Sequence, residues 1–123
     1  TIAGEGSNLF VLSHSKQHST YAELLDLKVC EGDDIAEALN DFLDSNGLSE
    51  NEIDVCLVGL NGDQRYDEII LKNIASIQHA ELLRFKNWCG EYPTSNAFAF
   101  GLGCSILKHG IIPNELKIQS LER

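Results

Sequence analysis

The chain has 123 residues, enough for one ordinary domain, and its 43% apolar and 23% charged composition is typical of a globular protein. A formal net charge of -10 disfavours nucleic acid and anionic membranes as partners, because both bind clusters of Lys and Arg, and the nine basic residues here are scattered. No apolar run reaches the roughly eighteen residues of a membrane span and the N-terminus has no signal-peptide pattern, so we expect a cytoplasmic protein. The sequence begins at Thr1 and contains no Met, which predicts a trimmed portion of a longer chain.

The N-terminal quarter of the chain predicts a β-hairpin. Residues 8–14 form a short apolar run, and residues 22–30 alternate between apolar and polar side chains. The polar segment 14–19 between them is typical of a turn.

The middle of the chain predicts a helix followed by a central strand. Residues 33–47 place their apolar side chains on one helical face, with Asp33 or Asp34 as the N-cap and Gly47 after the C-terminus. Ser-x-x-Glu at 49–52 predicts one further capped turn. The run at 53–60 is apolar on both faces, which is typical of a parallel strand in the middle of a sheet.

The C-terminal half continues the alternation. It predicts a helix over 66–77, a strand over 80–85, a helix from Thr94 to His109 and a short edge strand over 115–121. The third helix is almost free of charge until Lys108, so we expect its full circumference to be buried.

Gly101 and Gly103 lie in the interior of that helix, where each glycine costs up to about 1 kcal/mol relative to Ala. We interpret them as positions where the absence of a side chain lets a neighbouring element pack close to the helix, in preference to positions that face a ligand.

The cysteines indicate no cofactor or metal. Cys30, Cys56, Cys89 and Cys104 contain no Cys-x-x-Cys pair, and their spacing does not match that of zinc ribbons or fingers. We expect buried, reduced thiols and no bound cofactor.

The order of these elements resembles the second half of a β-ketoacyl synthase, a condensing enzyme of thiolase fold. The segment GEGSNLFVLS (4–13) is similar to the Gly-Glu-Gly-Ala opening of that half. Residues 47–69 are similar to the segment that delivers a catalytic His, and residues 85–113 to the Lys-Ser-x-x-Gly-His segment with its buried helix. The resemblance implies an α/β fold that is the C-terminal half of a thiolase-like fold. Residues 1–123 would form one half-domain, a mixed sheet with helices packed on it and one nearly fully buried helix.

The resemblance also assigns Gly59, Lys86 and Glu91 to three positions of a degenerate catalytic site. Lys86 and Gly90 match the family pattern, whereas the two His positions hold Gly59 and Glu91. Gly59 has no side chain to donate or accept a proton, and an ionised Glu91 would repel the enolate that the two His stabilise in the family. The family's nucleophilic Cys lies in the first half of its fold, which this sequence does not contain.

Two interpretations of Glu91 remain open from the sequence. Glu91 is either a general acid whose pKa is raised by burial, with Lys86 as an orienting charge, or a structural residue. In the structural interpretation it is one partner of a loop ion pair, or a Glu whose charge suits the dipole at the start of the helix from Thr94. Asp63 and Asp67 are better interpreted as residues at a helix start than as paired catalytic carboxylates.

Three functional hypotheses follow. The first is a non-catalytic C-terminal portion of a ketosynthase-like protein of fatty-acid or polyketide biosynthesis, similar to a chain-length-factor subunit. Its partner would be a ketosynthase-like subunit or the N-terminal half, with an acyl carrier protein engaged only through the parent protein. The second is a divergent active synthase whose Cys lies in the N-terminal half. The third is an unrelated small α/β interaction domain.

Overall fold

A computed structural model describes residues 2–30, 34–77 and 79–118. The described elements alternate between helices and strands. In chain order they are helix α1 (Ile35–Ser45), a 3₁₀ turn (Glu50–Glu52), strand β1 (Val55–Val58), helix α2 (Gln64–Asn73), strand β2 (Glu81–Arg84), helix α3 (Lys86–Cys89), helix α4 (Ser95–His109) and a second 3₁₀ turn (Asn114–Leu116). No helix among the described residues has the length and apolar character needed to cross a membrane.

The sheet is a β-α-β unit in which β1 and β2 are parallel and α2 connects them. Val55 lies opposite Glu81 and Val58 opposite Arg84. The chain returns antiparallel to β2 at Lys117. The Ile118 N–H donates to the Leu82 carbonyl at 2.9 Å. The predicted α/β class is confirmed.

The capping signals in the sequence form as predicted. The Asp34 carboxylate accepts from the Glu37 N–H and caps α1, whereas the alternative cap, Asp33, lies outside the described residues. Ser49 and Glu52 form the reciprocal capping box of the first 3₁₀ turn. At the start of α2, the Asp63 carboxylate accepts from the N–H groups of Arg65 and Tyr66. N–H groups in the first turn of a helix have no partner within the helix, and a cap residue supplies one.

The hydrophobic core lies in two clusters around the strand pair. The buried residues of the first come from both strands, from the loop after β1, from the segment between α2 and β2 and from the C-terminal segment: Val58, Leu60, Ile77, Ala80, Leu82 and Ile118. The second joins Leu83 of β2 to Ile106 of α4 and to Leu116. The two strands therefore tie the helices together through side chains on both of their faces.

The predicted N-terminal hairpin is wrong. Residues 8–14 and 22–30 have no strand pairing, and every residue from Glu5 to Ser19 and from Glu23 to Cys30 is exposed. Strand periodicity becomes a strand only when the main chain finds a hydrogen-bonding neighbour, and between Glu5 and Cys30 the described main chain makes one internal bond, from the Thr20 N–H to the Gln17 carbonyl. Residues 5–30 are called the N-terminal arm below.

Three further expectations are corrected. The run at 53–60 gives a strand with a neighbour on one side only among the described residues, because its expected second neighbour does not form. The second helix covers 64–73, not 66–77. The last strand is reduced to the bridge at Lys117, and residues 119–121 of that prediction lie outside the described chain.

Helix α4 is buried along one face only, so the prediction of full burial is wrong. Ser95, Ala99 and Ile106 are buried, whereas Leu107 is exposed. Most of the intervening residues are half-buried. The uncharged sequence predicted burial correctly for the face against β1 and β2, but no layer closes over the other faces among the described residues.

The main chain around Gly4 is in direct contact with the main chain around Gly90. The Glu91 N–H donates to the Ile2 carbonyl at 2.8 Å, and the Gly4 N–H donates to the Glu91 carbonyl at 3.1 Å. Gly90 has φ of 73° and ψ of -168°, a region that is almost restricted to glycine. A Cβ at Gly90 would lie 2.9 Å from the main chain of Gly4.

We expect Gly90→Ala to destabilise the protein more than Gly47→Ala. Both glycines have positive φ, so each substitution strains the backbone, and the strain at Gly90, whose ψ is -168°, is about 1–3 kcal/mol. A Cβ at Gly47 meets open space, whereas one at Gly90 must displace the main chain of Gly4, so Gly90→Ala should cost at least about 1 kcal/mol more. Urea unfolding of both variants measures the difference, and equal midpoints would contradict the close approach of the two segments.

We expect Gly101→Ala to stabilise the protein. Its Cβ would lie at an ordinary contact distance of 3.5 Å from Phe10, and replacing a mid-helix glycine by Ala gains about 0.5–1 kcal/mol. The matched control is Gly103→Ala, whose Cβ would press on Leu57 Cδ1 at 3.2 Å and so should gain less. Thermal unfolding compares the two, and a melting temperature of Gly101→Ala below that of the parent would show that Gly101 is needed for packing.

Candidate functional site

A pocket of about 400 Å³ opens beside the carboxyl ends of β1 and β2. Because the strands are parallel, the loops that leave them emerge at the same edge of the sheet, which is the usual position of binding sites in α/β folds. The polar side chains that line the pocket come from the end of β2 and from the segments that follow the two strands: Asn61, Arg84, Lys86, Asn87 and Glu91. Leu60, which is fully buried, forms part of its wall.

The centre of the pocket is an ion pair between Lys86 and Glu91. The Lys86 Nζ lies 2.6 Å from Glu91 Oε2, and the side chains are 11% and 34% exposed respectively. The same carboxylate oxygen accepts a second hydrogen bond, from Asn61 Nδ2 at 3.2 Å. One carboxylate thus joins the loop after β1 to the turn after β2.

The environment of Glu91 favours its ionised form. The hydrogen bond from Lys86 is the main reason that the pKa of Glu91 lies below its usual value, and the bond from Asn61 adds to the effect, whereas partial burial opposes it. Glu91 therefore carries a negative charge at neutral pH. The ion-pair interpretation agrees with this geometry, while the general-acid alternative requires a pKa raised above the usual value.

Gly59 lies against the lysine of this pair. A Cβ built on Gly59 would be 3.5 Å from Lys86 Cε and 3.6 Å from Lys86 Nζ. The structure therefore brings together Gly59, Lys86 and Glu91, the three site positions named from the sequence.

The loop after β1 is held in place by α2. The Asp67 carboxylate accepts from the N–H groups of Asn61 at 2.9 Å and Gly62 at 3.1 Å. The Asn61 side-chain oxygen in turn accepts from the Asp63 N–H at 2.9 Å, which turns the Asn61 amide nitrogen toward Glu91. Asp63 and Asp67 thus support the loop and the helix start, as the sequence indicated.

Sequence reasoning missed several residues of the pocket. Asn61 and Asn87 were not named, although Asn61 follows Gly59 by two positions in the loop after an apolar strand, which was the available signal. Ile2 reaches the pocket because its carbonyl pairs with the Glu91 N–H. This contact joins distant parts of the chain and has no local signature.

The cysteines do not supply an activated nucleophile to this site. All four are free, and Cys30 is exposed while the other three are half-buried. Cys89 is next to Gly90, but burial raises the pKa of its thiol, and its Sγ donates to the Gly90 carbonyl. A thiol with a raised pKa is a poor nucleophile at neutral pH because the thiolate is the reactive form. Within the described residues, no group of His, Cys, Asp and Glu side chains has the arrangement of a metal site.

Comparisons of the chain with protein-family models, curated proteins and solved structures find no match. Any assignment of function therefore depends on the residues of this pocket and on the sequence resemblance.

We expect Glu91→Gln to lower stability at neutral pH, by about 1–2 kcal/mol, because it leaves the mostly buried Lys86 without its charged partner. The folded-state pKa of Glu91 is depressed below the ordinary 4.5, so its stabilising contribution is present above that pH and is lost as the pH falls through the folded value. Urea unfolding at pH 7 and in stepwise acid should show the parent and variant converging toward low pH.

The matched control for this experiment is Lys86→Met, alone and combined with Glu91→Gln. If the ion pair accounts for the effect, the double variant should lose less than the sum of the single variants. Additive losses, or a difference between parent and Glu91→Gln that does not change with pH, would contradict a stabilising Lys86–Glu91 pair.

Proposed function

We propose that the chain is the C-terminal portion of a β-ketoacyl synthase-like protein of fatty-acid or polyketide biosynthesis, with a thiolase-like half-domain, and that it does not catalyse condensation. The observation that carries the proposal is the meeting of Gly59, Lys86 and Glu91 at one pocket. The sequence resemblance assigns these three residues to a catalytic site in the family. They belong to the segments that follow β1 and β2, and the carboxyl ends of parallel strands meet at one edge in any β-α-β unit, so the support comes from which residues meet there and not from the meeting of the segments alone.

The chemistry of the pocket supports a non-catalytic role. The position of the first His has no side chain, and the position of the second holds a carboxylate whose pKa is lowered by Lys86. Condensation creates negative charge on an enolate oxygen, which needs positive or hydrogen-bond-donating groups around it. The charge of Lys86 is already neutralised by the Glu91 carboxylate. The pair therefore holds the two segments together, and Lys86 contributes little positive charge for the stabilisation of an anionic intermediate.

The proposed role is therefore that of a partner to a catalytic ketosynthase-like subunit, or to the N-terminal half of the same protein. An acyl carrier protein would be engaged through the parent assembly. Carrier proteins are acidic, and a net charge of -10 on this chain opposes a direct encounter at low ionic strength.

One observation favours a second candidate, an unrelated α/β interaction domain. The N-terminal arm exposes large apolar side chains, among them Leu9, Val11 and Val29, and exposed apolar surface of this kind marks binding sites for other proteins in any fold. The two candidates differ in the partner that they require. The divergent active synthase is disfavoured by the lowered pKa of Glu91, since that residue was its proposed acid.

We expect no 3-oxoacyl product when the purified chain is incubated with an acyl thioester and malonyl carrier protein, because nucleophile and both His are absent. Product formation by the isolated chain, measured by mass spectrometry against a catalytically active β-ketoacyl synthase as positive control, would contradict the proposal.

We also expect the chain to form a complex with the catalytic β-ketoacyl synthase subunit encoded by the same source. Sedimentation velocity on the mixture and on each component measures this association. A complex would support the ketosynthase-like role, whereas two independent sedimenting species would favour the unrelated interaction domain.

A further inference from the structure

The first described residues of the chain are attached to the candidate site by their main chain. Residues 2–4, called the N-terminal strap below, run parallel to the segment around Glu91, with Ala3 opposite Glu91. The Glu91 N–H donates to the Ile2 carbonyl, and the Gly4 N–H donates to the Glu91 carbonyl. Ile2 also lines the pocket. The strap therefore forms part of the pocket wall and holds the residue at the centre of the pocket.

Glu91 is bonded to different parts of the chain by its main chain and by its side chain. Its main-chain N–H and carbonyl both bond to the strap, whereas its carboxylate bonds to Lys86 at 2.6 Å and to Asn61 at 3.2 Å. A shift of the Glu91 main chain therefore moves its carboxylate relative to Lys86 Nζ. Because a hydrogen bond weakens when its length and angle leave a narrow range, loss of the strap weakens the side-chain bonds as well.

The strap packs on the turn that sets the separation of Lys86 from Glu91. Gly90 ends α3, the helix that carries Lys86, and directly precedes Glu91. A Cβ on Gly90 would lie 2.9 Å from Gly4 Cα, and a Cβ on Gly4 would collide with the Cys89 carbonyl oxygen. The crossing therefore needs glycine at both positions, and a side chain at Gly4 must push the strap away from the turn.

The strap has few attachments besides this crossing. Ile2 is 79% exposed, and residues 2–4 belong to neither core cluster. Residues 5–9, which follow, make no backbone–backbone hydrogen bond among the described residues, although Gly6 passes beside the Tyr92 hydroxyl. Release of the strap therefore leaves the core clusters in place and costs mainly the contacts with Gly90 and Glu91.

The charged groups around Glu91 determine how acid acts on this crossing. Lys86 of α3 is its ion-pair partner and the main cause of its lowered pKa, and Arg84 at the end of β2 lines the same pocket. Burial raises the pKa of the nearby Cys89 thiol, so that thiol stays neutral in acid. Asp67 of α2 is a second carboxylate, bonded to the main chain of the loop after β1. Glu91 is ionised at neutral pH and loses its charge as the pH falls through a value below the ordinary 4.5.

We propose that the N-terminal strap and the Lys86–Glu91 pair form one conformational switch. The strap docks while the Glu91 carboxylate bridges Lys86 and Asn61, and it is released when Glu91 loses its charge or its partner. Release removes Ile2 from the pocket wall and opens the pocket on that side. The coupling is reciprocal, because two equilibria that are linked affect each other by the same factor. The switch requires only these contacts and is independent of the proposed partner of the chain.

Gly4→Ala tests the switch from the side of the strap. Because its Cβ cannot fit beside Cys89, the Glu91 amide should exchange with solvent about five-fold faster or more, as measured by NMR. The pKa of Glu91, followed through its carboxyl carbon, should rise toward the ordinary 4.5. The matched control is Ala3→Ser, at an exposed position of the same strap, which should change neither quantity. A Gly4→Ala protein whose Glu91 amide is exposed but whose Glu91 pKa is unchanged would overturn the coupling, and one that changes neither would overturn the docked strap.

Glu91→Gln and Lys86→Met test the switch from the side of the ion pair. At pH 7 each breaks the pair while Asp67 keeps its charge, so the Gly4 amide should exchange about five-fold faster or more than in the parent. The control is Gly47→Ala, which strains the backbone at a position far from the strap in sequence and with open space around its Cβ. It should leave Gly4 exchange unchanged, because that amide exchanges by local release of the strap and not by general unfolding. Equal acceleration in Gly47→Ala, or unchanged exchange in both ion-pair variants, would overturn the switch.

Discussion

The parallel pairing of β1 (Val55–Val58) with β2 (Glu81–Arg84) is the constraint on which the rest of the described structure depends. It places the carboxyl ends of two strands at one edge, so the loops that follow them must meet there. Val58 and Leu82 of these strands belong to the first core cluster, and Leu83 belongs to the second. Without this pairing neither the position of α2 nor the meeting of Lys86 with Glu91 and Asn61 would be defined.

Sequence signals that act over a few residues, such as helix caps, correctly predicted the local structure that depends on them. The capping residue Asp34, the capping box at 49–52 and the apolar periodicity of α1 act within a few residues, so each could be identified from the sequence. The arm could not, because the periodicity at 8–14 and 22–30 indicates only that these residues are suited to a strand. Whether a strand forms depends on a hydrogen-bonding neighbour, and no described residue of the chain provides one.

In the candidate site too, some residues could be identified from local sequence and others depend on contacts between distant segments. Lys86 and Glu91 are close in sequence and their opposite charges indicated an ion pair, but Gly59 joined them only through a resemblance between whole segments. Asn61 could not be assigned because its amide is oriented by the Asp63 N–H, a contact that exists only after α2 has formed. A close approach between distant segments, such as that of Gly4 with Gly90, was likewise visible in the sequence only as unexplained glycines.

The site and the arm differ in how their polar and apolar groups are satisfied. At the pocket, Lys86 and Asn61 both bond to Glu91, so these two donors already serve a fixed negative charge. At the arm, apolar side chains and main-chain groups lack the neighbours that a strand requires. The bonds to Glu91 fix the segments that follow β1 and β2 relative to each other, whereas the strand-like periodicity of the arm has no hydrogen-bonding neighbour among the described residues.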